Sequence, residues 1–243
     1  MSELYHGDCL QVIPHLGLFN MVFADPPDGI GYSYNEYDDK RKPDEYLSWL
    51  NTCILRFISI SPIVWLSFNA KWTIDVGAMM KQVIADTGVE VLPCTQIFTF
   101  GTQQQSDLKN CHRPLWRIMR PGTPLFPDQA REPSWRLKNG DPRADPRGCV
   151  PGDVFDFPRV TGNNKQKRKW HTTQLHEDLV ARCVKLSTLE GHRILDPFGG
   201  SGTTLRVCKK LNRHCTLIEF DKLYCQKLSE EHEIVAKSMS KLP

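Results

Sequence analysis

The hydrophobic pattern of this chain switches between two periods. Leu18-Phe-Asn-Met-Val-Phe-Ala24 is a short, nearly unbroken apolar run that stops at Asp25-Pro-Pro27. A run of that length closed by proline predicts a buried strand. Beyond Pro43 the apolar residues fall at positions 46, 47, 50, 54, 55 and 58. That is helical spacing, with Pro43 or Asp44 at the start. Pro62-Ile-Val-Trp-Leu-Ser-Phe68 predicts a second strand, 75–86 a second helix ended near Gly88, and 95–100 a third strand. Periodicity then fades between about 120 and 170, a stretch rich in Pro, Arg, Asp and Gly, which predicts an irregular excursion. Order returns with a helix over 175–186, a strand over 192–195 and a helix over 203–211. A strand over 215–218 then ends in Glu219, and a terminal helix covers 221–236. Strands alternating with helices predict an α/β fold with a doubly wound, mostly parallel sheet. No internal repeat occurs. A length of 243 residues suits a single domain over 1–243, with 120–170 inserted within it.

Composition narrows the class. A chain that is 40% hydrophobic and 24% charged is neither disordered nor fibrous. Its most apolar stretch, 54–68, is broken by Arg56, three serines and Pro62, so no membrane span is expected. Met1-Ser-Glu-Leu-Tyr-His6 has neither a basic nor an apolar signal region. The nine cysteines are scattered, odd in number and never in a CxxC pair, which predicts reduced thiols in a cytoplasmic setting.

The net charge of +3 becomes informative when divided by zone. Residues 120–169 hold eleven Lys/Arg against six Asp/Glu, a net of +5, leaving −2 for the rest; eight of the 17 prolines are there too. Arg131, Arg136, Lys138, Arg143, Arg147, Arg159, Lys165, Lys167, Arg168 and Lys169 are therefore candidate phosphate contacts, with Trp135 and Trp170 as stacking surfaces. Such contacts supply most non-specific nucleic-acid affinity. A solvated charged loop is the alternative, since six acids interleave.

Two turns carry chemistry. Asp196-Pro-Phe-Gly-Gly-Ser-Gly-Thr-Thr204 follows a predicted strand and opens a predicted helix. Glycines there let backbone approach a ligand, and the helix start offers unpaired N–H groups. Glu219 ends the next strand, 23 residues after Asp196, where a carboxylate can accept hydrogen bonds from ribose hydroxyls. The turn is neither a Walker A loop nor GxGxxG. It fits a nucleoside-bearing cofactor without a large phosphate, or else a structural turn. Asp25-Pro-Pro-Asp28 closes the other strand. Its prolines remove two donors and leave carbonyls as acceptors. An amine held by Asp25 and the Pro26 carbonyl would have its lone pair aimed outward, ready to attack an electrophilic methyl. Alone, the motif also fits an ordinary turn.

Together, in this order, the turns resemble those of the DNA amino-methyltransferases that use S-adenosylmethionine (SAM) and modify adenine N6 or cytosine N4. Asp25-Pro-Pro resembles their catalytic motif, and the 196–204 turn their SAM loop. Catalytic motif first and cofactor loop last resembles the beta-class arrangement. Gly7-Asp8-Cys9-Leu10 resembles the segment that opens such enzymes. Asp153-Val-Phe-Asp-Phe-Pro158 and Trp170-His171-Thr-Thr-Gln174 resemble the segment before the cofactor loop, which helps form the SAM pocket. The resemblance spans about 170 residues.

It implies a Rossmann-like fold, with 120–170 as the target-recognition insertion. The implied catalytic residues are Asp25, Pro26, Pro27 and Asp28. The implied SAM contacts are Asp8, Thr173, Gln174, Asp196, Phe198, Gly199, Gly200, Ser201, Gly202, Thr203, Thr204 and Glu219. DNA is the implied partner, reached by flipping the base. A homodimer is a further expectation, and so is a cytoplasmic site of action, in a host cell if the gene belongs to a phage. Adenine N6 is favoured, with cytosine N4 second.

The chain departs from the family in two places. Asp28 stands where the family carries an aromatic that stacks on the extruded base, an interaction worth about 1–3 kcal/mol. Tyr32 or Tyr34 is a candidate replacement. An unusual or modified base, or a catalytically silent SAM- and DNA-binding module, are the alternatives. His171-Thr-Thr-Gln-Leu-His176 also lacks the Pro and Lys of the family segment. Pro93-Cys94 resembles the nucleophile of cytosine-C5 methyltransferases but falls in the wrong order for it. The adjacent His/Cys pairs at 111–112 and 214–215 lack metal-ligand spacing. Trp65, Phe68 and Trp72 read as core.

Overall fold

The computed structural model describes residues 2–32, 35–37, 39–99 and 105–238. Nine strands form one sheet: β1 (Glu3–His6), β2 (Met21–Ala24), β3 (Ile63–Ser67), β4 (Glu90–Ile97), β5 (His112–Met119), β6 (Val154–Asp156), β7 (Arg193–Asp196), β8 (His214–Glu219) and β9 (Ala236–Ser238). The helices are α1 (Cys9–Val12), α2 (Pro43–Ile60), α3 (Thr73–Thr87), α4 (Trp135–Lys138), α5 (Glu177–Ser187), α6 (Thr203–Lys210) and α7 (Lys222–His232). The order across the sheet is β6-β4-β5-β3-β2-β7-β8-β1-β9. Every pairing is parallel except those of β5 with β3 and β4.

Helices on both faces explain why the central strands are apolar without alternation. In β2, Val22 and Ala24 face a cluster built with Tyr46, Leu50, Ile54 and Phe57 of α2 and Val76 and Met80 of α3. Met21 and Phe23 face the opposite cluster, with Val180 and Val184 of α5 and Leu205 and Cys208 of α6. β3 divides likewise, Val64 and Leu66 to one side and Ile63 and Trp65 to the other. The expected core residues Trp65, Phe68 and Trp72 are all buried. None of the nine cysteines, all among the described residues, forms a disulfide, and seven are buried.

This topology places the chemistry. From β2 the chain crosses through α2 to β3; from β7 it crosses through α6 to β8, in the opposite direction. The adjacent pair β2 and β7 therefore flank a topological switch point, where ligands bind beyond the carboxyl ends of the strands. Asp25 follows β2 there, and Asp196 ends β7.

Three expectations need correction. β4 begins at Glu90, earlier than expected, because Glu90–Met119 and Ile97–His112 pair in one antiparallel ladder. β5 escapes the periodicity because Arg113, Pro114 and Arg117 interrupt its apolar positions. The terminal helix stops at His232, where Glu233 turns left-handed (φ 55°), and Ala236–Ser238 returns as an edge strand on β1. The excursion at 120–170 is largely irregular, as expected, but pins itself to the sheet through β6, which pairs with β4.

Candidate active site

One cavity of about 590 Å³ opens over the carboxyl ends of β1, β2, β7 and β8. Asp25, Pro26, Pro27 and Asp28 line it together with Asp8, Thr173, Gln174, Asp196, Phe198, Gly199, Gly200, Ser201, Thr203, Thr204 and Glu219. The two turns predicted from sequence thus form one site. Tyr32 lines it too and is 39% exposed; Tyr34 lies outside the described residues.

At the Asp-Pro-Pro turn, Asp25 and Asp28 share one cation. Arg113 reaches across from β5 and donates from Nη2 to Asp25 Oδ1 at 2.8 Å and from Nη1 to Asp28 Oδ1 at 2.9 Å. Its Nε donates to Ser67 Oγ at 2.7 Å. Burial alone would lower the Arg113 pKa, but Asp25 and then Asp28 outweigh it and raise the guanidinium above its usual value. The backbone is equally fixed. Tyr46 Oη donates to the Pro27 carbonyl at 3.0 Å, and Trp72 Nε1 to the Asp28 carbonyl at 2.7 Å. The Pro26 carbonyl accepts no hydrogen bond among the described residues. Gly29 follows at φ +64°, where a Cβ would lie 2.6 Å from the Tyr46 ring, so only glycine fits. Asp39 then gathers the next segment, accepting from the N–H groups of Gly29, Ile30 and Tyr32 at 2.9, 3.1 and 3.0 Å.

The glycine loop at 196–204 is held from below. A Cβ on Gly199 would approach the Ile218 carbonyl at 3.3 Å, and one on Gly200 would approach His171 Nε2 at 3.0 Å. Gly202 does not line the cavity; it caps α6 in a left-handed conformation, pressed against Leu228. Behind the loop, Arg206 donates to the Ser201 carbonyl at 2.6 Å and to Glu177 at 2.8 Å. Glu219 accepts from Gly200 N at 2.6 Å and Asp221 N at 2.7 Å. Even so, burial pushes its carboxyl up to about 7. Burial likewise raises Asp196 to about 7, against hydrogen bonds from Thr204 and Phe198. The neighbouring His171 is driven down to about 4, again by burial. Two buried acids poised near neutrality suit a ligand that brings hydroxyl donors and positive charge. Phe198 and Phe220 add apolar walls, packed on Trp49 and Tyr37 respectively. The set therefore fits the adenosine and sulfonium of SAM.

Among the other predicted contacts, Asp8 Oδ1 caps α1 by accepting from Leu10 N at 2.7 Å. Gln174 is tied within its own loop, accepting from Arg168 N and donating to the Gln166 carbonyl. Cys94 is buried, its thiol raised to about 11 by burial, and it lies apart from the cavity. That removes the C5-type nucleophile reading.

The basic set divides. Arg131 pairs with Asp128, Arg143 with Asp141, Arg147 with Asp145 and Arg168 with Glu231. Lys167 Nζ donates to the carbonyls of His171 and Thr172. Arg136, Lys138, Lys165 and Lys169 are exposed. Arg159 lines the cavity, its guanidinium 5.5 Å from the Phe98 ring.

Sequence reasoning missed Arg113, Asp39 and Asp221. Arg113 carries no local signal, since its partners are 85 and 88 residues away. Asp221 had one: it follows Glu219 closely and caps α7 through Tyr224 N.

A mostly parallel α/β sheet with a glycine loop and an Asp-Pro-Pro turn at its switch point defines the Rossmann-like fold of SAM-dependent methyltransferases. The family model for DNA methylases, the N6-adenine/N4-cytosine class, matches residues 19–231, and the chain belongs to that family. It is thus a DNA methyltransferase acting on an exocyclic amine, with SAM as methyl donor. It is 28% identical over 239 residues to the type II methyltransferase M.ScaI of Streptomyces caespitosus, covering 91% of this chain and 78% of that protein. It is 24% identical over 247 residues to the DNA adenine methyltransferase YhdJ of Escherichia coli (strain K12), covering 92% and 80%. Among solved structures, the cytosine-N4-specific PvuII DNA methyltransferase superposes with a TM-score of 0.72 at 14% identity, covering 99% of this chain and 89% of that one. The M1.HpyAVI–SAM complex gives 0.63 at 19% identity, covering 95% and 98%.

Proposed function

We propose that this methyltransferase modifies adenine N6, using Asp25 and the Pro26 carbonyl to orient the amine. The observation that carries the proposal is the state of the Asp25 carboxylate. Arg113 takes Oδ1, Oδ2 has no hydrogen bond among the described residues, and Asp25 lines the shared cavity. Asp25 Oδ2 and the Pro26 carbonyl accept the two amine hydrogens, which leaves the nitrogen lone pair directed away from both. SAM supplies a methyl group activated by its sulfonium. Glu219 accepts from the ribose hydroxyls, the loop at Gly199 and Gly200 provides close backbone, and Asp8, Thr173, Thr204 and Asp196 complete the walls. Asp25 Oδ2 also stands where the surplus amine proton emerges. Most of the rate comes from orientation, since no covalent enzyme intermediate forms.

Adenine is supported by the likeness to a DNA adenine methyltransferase along 92% of the chain. Cytosine N4 is the second reading, favoured by the likeness in fold to a cytosine-N4-specific enzyme. Tyr32 supplies a ring face near the base. The 120–170 region serves target recognition, with Arg136, Lys138, Arg159, Lys165 and Lys169 on phosphates, within a single methyltransferase domain. A homodimer in the cytoplasm completes the proposal. Methylating mixed DNA and digesting it to nucleosides for mass spectrometry tests the base. N6-methyladenine is expected; N4-methylcytosine alone would overturn the choice of base.

A further inference from the structure

The family's motif ends in an aromatic, but here Asp28 occupies that place and is tied down. Its Oδ1 accepts from Arg113 at 2.9 Å, its carbonyl accepts from Trp72 at 2.7 Å, and its side chain is 17% exposed. It therefore lines the cavity as a fixed carboxylate with no ring face to offer a base. Arg113 is 19% exposed and has three acceptors: Asp25, Asp28 and Ser67.

The charges make this arrangement informative. A partly buried arginine paired with Asp25 alone would neutralise the carboxylate on which amine orientation depends. With Asp28 as a second partner the cluster carries a net charge of −1. Methyl transfer makes the amine nitrogen cationic until it loses a proton, so a site of net −1 stabilises that developing charge where a neutral one would not. The planar fork of the guanidinium holds both carboxylates at once, which a lysine ammonium cannot do with the same geometry.

We propose that Arg113 and Asp28 are a positioning pair for the reaction: Arg113 fixes the Asp25 carboxylate from β5, and Asp28 offsets the arginine's charge so that Asp25 remains an effective acceptor. Asp28 stands at the place of the family's aromatic, with a different task. This rests on the reading of Asp25 as the amine acceptor.

The test is a double-mutant cycle read as kcat, KM for DNA and SAM affinity. Arg113→Gln leaves two adjacent carboxylates unpaired and lets Asp25 move; kcat should fall ~10–100-fold. Asp28→Asn lets Arg113 neutralise Asp25 and should lower kcat by a similar factor. The combined Asp28→Asn/Arg113→Gln variant restores an unneutralised Asp25. It should exceed the product of the two single effects by at least ~10-fold. SAM affinity should stay within ~2-fold throughout, because the cofactor loop is untouched. Arg113→Lys, which keeps the charge but not the fork, should lie between wild type and Arg113→Gln, and serves if the glutamine variant does not fold. Asp28→Tyr, which restores the family residue, should lose activity. Multiplicative single effects, or loss in KM and melting temperature with kcat unchanged, would overturn the pair. A change of methylated base with Asp28→Asn would overturn it too, by making Asp28 a base reader. Asp25→Asn separates the two layers. If it is silent while Arg113→Gln is fully active, only the pair fails; if it is fully active, the reading of Asp25 itself fails.

Discussion

Lowering the pH from 8 to 6 should weaken SAM binding about tenfold for each buried acid that the ligand needs ionised. Glu219 and Asp196 both sit at about 7 in the free protein, chiefly through burial. Near that value a carboxyl is about 90% ionised at pH 8 and about 10% at pH 6. Ribose hydroxyls donate to the ionised form, and the sulfonium favours it, so binding at neutral pH releases protons. If Glu219 alone counts, the affinity ratio is about 10; if Asp196 counts as well, it approaches about 100. Calorimetry in two buffers of different ionisation enthalpy reads both affinity and proton release. Glu219→Gln should bind weakly and lose the larger part of the pH dependence. An affinity that is flat from pH 6 to 8, with no proton release, would refute the reasoning. The same acids act on the stability of the free protein with the opposite sign. Their folded-state pKa values are raised, so their contribution is fully present below about 4 and is lost as pH rises through about 7. His171 and His232, each depressed to about 4 by burial, contribute stability that is present above about 6.5 and lost as pH falls through about 4. The two sets oppose one another between about 4.5 and 6.5. Above that window only the acids act. The melting temperature of the free protein should therefore fall gently from pH 6.5 to 8, while the increment given by SAM grows.

Three further outcomes follow from the site's construction. Gly29→Ala meets both a left-handed backbone and a Tyr46 ring 2.6 Å away. It should cost about 2–4 kcal/mol, seen as a melting temperature roughly 5–15 °C lower, with methylation falling alongside. Asp39→Ala removes the acceptor for three backbone N–H groups; it should lower turnover on DNA more than it lowers SAM affinity, as steady-state kinetics would show. Lys165→Ala and Lys169→Ala should each reduce the slope of log affinity for DNA against log salt by about 1. Arg143→Ala and Arg147→Ala, whose side chains are already paired with Asp141 and Asp145, should leave that slope nearly unchanged.

The parts of this fold legible in the sequence share a physical feature. β2, β3, β7 and β8 are buried on both faces, so each is a short apolar run whose ends are marked by Pro, Gly or an acid. α2 and α6 follow directly from their spacing. The strands that escaped are those without such a run. β1, β6 and β9 are three or four residues long, and β5 carries two arginines and a proline. The site divided in the same way. Asp25, Asp196, the glycines and Glu219 stand at strand ends, where local sequence announces them. Arg113 joins the site only through partners brought to it by sheet order, across β3 from its own strand. No local pattern encodes that. The +5 of the middle zone likewise divides in the fold: it includes Arg131, Arg143, Arg147 and Arg168, whose charge is matched by acids close by.

The central claim is that Asp25 orients an exocyclic amine for direct attack on the SAM methyl. Single-turnover transfer of labelled methyl from SAM to DNA, with wild type and Asp25→Ala compared at equal SAM occupancy, tests it most directly. The account predicts label in DNA from wild type, and a rate at least ~100-fold lower from the variant. Equal rates from the two proteins would contradict it.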